Sequence, residues 1–136
     1  MGYATVFNDL IEEKLMSMNT AFVAKIVSVS ESTATVQPLN KVKQYGKSAQ
    51  KQSVIPNVPI LYNARYKMKK YDLKYKDWSD NNQTLKTFER IDLKAGDVVF
   101  CVCADRDITE TKNGSMSTPS VGRHHNMSDC VIVGVL

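Results

Sequence analysis

No stretch of the 136 residues approaches the ~20 consecutive apolar residues of a membrane-spanning helix, so no membrane span is expected. Cysteine is scarce: Cys101, Cys103 and Cys130 are odd in number, and the first two lie two residues apart. That excludes a disulfide framework and points to a reducing compartment. The only histidines are the adjacent His124 and His125. GxSxG, HExxH, P-loop and GxGxxG patterns are all missing, which removes the usual signatures of hydrolases, metalloproteases and nucleotide enzymes. Six glycines and four prolines are too few for a collagen-like or disordered chain. The N-terminus carries three acids by residue 13 and no basic region before an apolar stretch, so no signal peptide is expected. Val6 stands where an N-myristoylation motif needs Ser or Thr.

What is present fits one ordinary globular domain, 43% hydrophobic and 24% charged. The formal charge of +4 hides a strong division along the chain. Residues 1–40 hold two basic and four acidic side chains, and residues 77–136 hold six and nine. Between them, residues 41–76 hold ten Lys or Arg against the single Asp72.

Residues 1–19 read as an amphipathic helix. Val6, Phe7, Leu10, Ile11, Leu15 and Met18 recur at three- and four-residue steps, with Thr5 as the expected N-cap. The stripe predicts burial, by default against the chain's own domain and otherwise against a neighbouring subunit. From Ala21 the period changes to two. Strands are expected at 21–29 and 33–39, joined by a polar turn at 30–32. The segment 54–61 carries Pro56 and Pro59, which cannot donate to a ladder, so it reads as an edge or kinked strand. Lys94-Ala95-Gly96-Asp97 forms a turn before a strand at 98–104, and a last strand covers 130–136. The fold class is therefore mainly β: a five-stranded OB-fold (Greek-key) barrel over 20–136, with an N-terminal helix. A Lys/Tyr-rich insertion at 63–92 is too long for a plain connection and is expected to be a functional loop or a hairpin of its own, with Lys67–Tyr75 a candidate extra strand within it.

Three constellations invite chemistry. His124 and His125 lie near Ser120, Ser128 and Asp129, but adjacency in sequence does not assemble a triad, and no catalytic residue is assigned. Cys101, Cys103, His124 and His125 are the only metal candidates. A Cys-x-Cys pair on a straight strand, however, spaces its sulfurs roughly 6–7 Å apart, too far for one ion. Core packing is the default for such thiols, and no cofactor is expected. The basic segment 41–76 interleaves lysines with Tyr45, Tyr62, Tyr66, Tyr71 and Tyr75. Its candidate interaction surface is Lys67, Lys69, Lys70, Tyr71, Lys74, Tyr75 and Lys76. Cationic grooves with stacking aromatics bind single-stranded nucleic acid, which makes that the alternative function, although nucleic acid is not the favoured partner.

Five segments in order carry a resemblance: 35–39 (TVQPL), 55–59 (IPNVP), 95–99 (AGDVV), 104–108 (ADRDI) and 122–129 (GRHHNMSD). Together they resemble the phage baseplate central-spike family, in which an N-terminal OB domain precedes a membrane-piercing needle. The resemblance implies a non-enzymatic structural protein of a phage or phage-like contractile tail. It would assemble as a homotrimer on the tail axis, as spike or tip plug, beside hub, tube and a possible separate tip protein. Its place would be the virion, after synthesis in the host cytoplasm. It further implies architectural roles for Gly96, Asp97, Asp105, Arg106, Asp107, Gly122, Arg123, His124, Ser128 and Asp129. Arg106 would bond its flanking aspartates, and Gly122 would permit a turn. Residues matching the needle and its iron site are lacking, so a short form is expected. The stretch 63–92 departs from the family's shorter, glycine-richer connection.

Overall fold

The computed structural model describes residues 2–41, 46, 48–118, 122 and 124–136, apart from the side chains of residues 16 and 17. One helix, α1 (Tyr3–Ser17), precedes seven strands. These are β1 (Ala21–Val29), β2 (Thr33–Pro38), β3 (Ile55–Pro59), β4 (Tyr66–Lys76), β5 (Asn82–Asp92), β6 (Val98–Cys103) and β7 (Cys130–Val135). Five form an antiparallel sheet in the order β3-β2-β1-β6-β7, while β4 and β5 pair only with each other.

Period-two patterning builds the larger sheet. Phe22, Ala24 and Ile26 of β1 point inward with Ala34 and Val36 of β2, Val99, Cys101 and Cys103 of β6, and Cys130 and Ile132 of β7. The ladders shift register between Ile26 and Ser28, between Ala34 and Val36, and between Phe100 and Cys101. Such irregularities bend strands and increase their twist, so the sheet curls around its own inward face. Its two outer strands then meet at one parallel bridge, Ile60 to Ile132, where the Leu61 amide donates to the Ile132 carbonyl at 3.0 Å. The result is a half-barrel, where the sequence led us to expect a closed one.

Prolines place β3 as expected. Pro56 and Pro59 lie on a strand that ends the sheet order, and Asn57 between them takes a left-handed φ of 54°. That bulge lets both Ile55 and Val58 reach the core despite their odd spacing.

Two expectations about α1 are corrected. The N-cap is Gly2, not Thr5, because the helix begins at Tyr3 and leaves Thr5 inside its first turn. The apolar stripe is also not buried on the chain's own domain: Val6, Phe7, Leu10, Ile11 and Leu15 are all exposed. The core is filled by strand residues and by Ile60, Ala64 and Leu93, with no residue of α1 among them.

Candidate functional site

Two clusters hold the residues singled out by the sequence, and they lie at opposite ends of β1. At the end where α1 enters, β6 runs into a corner built from 104–109 and 124–130. Ala104 donates to the Asp129 carbonyl at 2.7 Å and His125 donates to the Asp105 carbonyl at 3.1 Å. Arg106 and His124 form an isolated antiparallel bridge. The His125 carbonyl in turn accepts from the Asn19 amide at 3.2 Å, and Cys103 donates to the Thr20 carbonyl at 2.9 Å. The corner therefore ties the exit of α1 to both loops.

Its side chains serve the same end. Asp105 Oδ1 faces His125 Nε2 at 3.2 Å and His124 Nδ1 at 3.8 Å. His125 holds a strained left-handed φ of 46°. Asp107 is buried and accepts from both the amide and the hydroxyl of Thr109. Asp129 is buried too, with Oδ1 accepting from the Ile108 amide at 3.5 Å. Asn126 caps the short turn Met127–Asp129 by accepting from the Ser128 amide at 2.8 Å, while Ser128 itself is exposed. Gly122 stands in open space, where a Cβ would meet nothing within 4 Å. Arg123 and Ser120 lie outside the described residues.

Arg106 is exposed beside the buried Asp107, and its backbone bridges to His124.

The cysteines pack inside the sheet. Cys101, Cys103 and Cys130 are all buried and free, with Cys103 directly opposite Cys130. Burial pushes the Cys103 thiol up to about 11. The Cys130 thiol is pushed upward as well, by its hydrogen bond with Cys101 and then by burial. Those two thiols, held protonated, are poor ligands and poor nucleophiles, while the Cys101 thiol shifts the other way, lowered by its hydrogen bond with Cys130. The sulfurs face the core while His124 is exposed, and among the described residues no three His, Cys, Asp or Glu side chains converge as a metal site.

At the other end of β1 stands an arm. Strands β4 and β5, eleven residues each, pair without a break from Tyr66–Asp92 to Lys76–Asn82 and extend roughly 35 Å. The candidate strand Lys67–Tyr75 thus lies within β4, and the insertion is the hairpin that its length allowed, although β5 itself was not assigned from the sequence. The arm is fixed at its base, where Lys67 Nζ meets Asp97 Oδ1 at 2.7 Å. Asp97 Oδ2 accepts from the Lys94 amide at 2.9 Å, in a turn that Gly96 completes with a φ of 96°. At the tip, Asp77 accepts from the amides of Ser79 (3.0 Å) and Asn81 (2.9 Å) and from Gln83 Nε2 (3.1 Å). The Asn81 amide above all holds the Asp77 carboxyl below its ordinary range. Trp78 projects from this ordered tip, fully exposed.

Cross-strand register assigns the arm's two faces. One carries Lys67, Lys69, Tyr71, Leu73 and Tyr75 with Thr87, Leu85 and Gln83 opposite the last three. The other carries Lys70, Lys74 and Lys76 with Met68, Phe88, Lys86 and Arg90. Rings and cations touch there: Lys70 lies 5.9 Å from the Phe88 centroid and Arg90 5.4 Å from that of Tyr66. Sequence reasoning found the lysines and tyrosines but missed Met68, Leu73, Trp78, Leu85 and Phe88. The Asp, Ser and Asn cluster at 77–82 was the available signal for a hairpin. The remaining tyrosine of the basic stretch, Tyr45, lies outside the described residues, as do Lys43 and Lys47.

Asp97 gives the arm a pH-dependent anchor. Burial favours its protonated form, but the Lys67 hydrogen bond and the Lys94 amide outweigh that, so its carboxyl lies below the ordinary value. A lowered carboxyl stabilises the fold above the ordinary carboxylate range and loses that contribution as acid protonates it. Lys67→Met is expected to cost about 1 kcal/mol at pH 7, or about 3 °C in Tm. The gap from wild type should narrow at pH 3. Thermal unfolding at both values checks this, and an equal gap at both would contradict it.

No protein-family model matches the chain, and no curated protein is significantly similar to it. The resemblance to the baseplate spike family therefore rests on the five segments quoted above.

Proposed function

We propose that this protein is a structural component of a phage tail baseplate, or of a phage-like contractile tail. Three copies would surround the tail axis as its spike or tip plug. The observation that carries the reading is uncovered apolar surface on a chain whose curled sheet already packs a core of its own. The stripe of α1 and the arm side chains Leu73, Leu85, Met68, Phe88 and Trp78 are all exposed, at both ends of the curled sheet. Exposed apolar surface of that extent marks a subunit built to be covered by others.

The strand order supports reading the half-barrel as an OB fold. β6 returns to lie beside β1 after the β1-β2-β3 meander, which is the Greek-key arrangement, and β7 reaches β3 in parallel. The corner supports a structural role over a catalytic one, since its aspartates and histidines tie backbone to backbone. Hub, tube and a separate tip protein are the partners such a part would need. Gold-labelled antibody against the protein, applied to intact tails, should mark the end distal to the head. Label along the tube, or tails without label from cells that make the protein, would contradict the reading.

A further inference from the structure

We propose that Cys103 and Cys130 form a disulfide when the protein meets a peroxide, locking β6 to β7 at the corner. The inference goes beyond the tail reading and does not depend on it, because it concerns two strands of one chain.

Register brings the pair together. Cys103 stands directly opposite Cys130 in the antiparallel ladder, and both side chains are buried. The Cys103 amide donates away from β7, to the Thr20 carbonyl at 2.9 Å, while the next residue, Ala104, donates across to the Asp129 carbonyl at 2.7 Å. Cys103 and Cys130 therefore occupy a non-hydrogen-bonded position of the ladder, where facing Cα atoms approach to about 4.5 Å and side chains lie closest. That separation falls inside the range a disulfide spans. Cys101 is the competing partner, since its thiol shares a hydrogen bond with Cys130. Its own ladder partner is Ile132, however, and diagonal positions stand about 7–8 Å apart, beyond that range. Three cysteines thus give one link and one spare thiol, Cys101.

The chemistry needs only the peroxide. Cys103 is the least buried of the three thiols and reacts first. Its sulfur takes one peroxide oxygen as a sulfenic acid, the O–O bond breaks, and one water leaves. The Cys130 sulfur then displaces the hydroxyl, which departs with the Cys130 proton as a second water, and the S–S bond forms. Two thiols lose two electrons and the peroxide gains them. Burial keeps both thiols protonated, which slows the reaction and leaves its end point unchanged. In a reducing compartment, exchange with the thiol pool keeps the pair open. Once closed, the link makes a covalent loop that carries Asp105, Asp107, His125 and Asp129. It also fixes the strand end that holds the Thr20 carbonyl, and with it the exit of α1.

The full chain, purified with reductant and then freed of it, is treated with hydrogen peroxide under native conditions, unfolded and alkylated. One thiol per chain should take the label, against three in the reduced protein. Trypsin leaves Cys101 and Cys103 together in the 95–106 peptide and Cys130 in the 124–136 peptide, so the link should join those two peptides. Fragmentation between Cys101 and Cys103 should place it on Cys103. Closing the loop should raise Tm by about 5–10 °C, and a dithiol reductant should reverse the rise. Cys101→Ala should still form the link and Cys103→Ala should not; the wild-type peptide map decides the matter where a variant fails to fold. Three labelled thiols, a link through Cys101, a link between chains, a sulfinic acid without any link, or a link that leaves Tm unchanged would each overturn the proposal.

Discussion

Trimming Ile132 to alanine is expected to lower the unfolding free energy by about 3–4 kcal/mol, the cost of deleting a large aliphatic side chain from a sealed core. Ile132 is wholly buried and pairs across the ladder with Cys101. It also sits where the two outer strands meet, bridged to Ile60 and accepting the Leu61 amide. Its side chain therefore seals the gap that backbone bonds close at only one point. For a domain of this size the loss corresponds to a Tm about 10 °C lower. Thr84→Ser, also on the exposed arm, is the natural control and should stay within about 0.5 kcal/mol of wild type. A cost below about 1 kcal/mol at Ile132 would mean that the outer strands are not packed together there.

The difference between those two sites also explains what the sequence could disclose. β2 alternates polar and apolar residues because one of its faces lies in the core, while β1, β6 and β7 were legible as short runs rich in apolar, mostly β-branched residues. β3 was legible for another reason, since Pro56 and Pro59 exclude a central position. β5 was not legible. Leu85 and Phe88 fall on opposite faces of the arm, both faces are exposed, and no burial imposes a period. The curl was hidden as well, because it depends on register shifts at Ile26, Ala34 and Phe100 that only the pairing reveals.

The corner was half visible. Asp105, Asp107, His124 and Asp129 could be marked as architecture, and the structure brings them into one cluster. Their partners could not be foreseen, since Asn19 and Thr20 act through backbone groups and Thr109 through both its amide and its hydroxyl.

The arm changes the meaning of the basic segment. Its lysines stand on a projecting ribbon with leucines and tyrosines, and no longer read as a groove across the barrel. Lys67 is committed to Asp97, which makes it an anchor, while the distal lysines are exposed. An assembly that buries both the arm and α1 accounts for why so small a core carries so much exposed apolar surface.

The mass of the full-length protein in solution tests that account most directly. Light scattering at high micromolar concentration should return three times the 15.3 kDa of one chain. A homogeneous 15.3 kDa species at that concentration would contradict it.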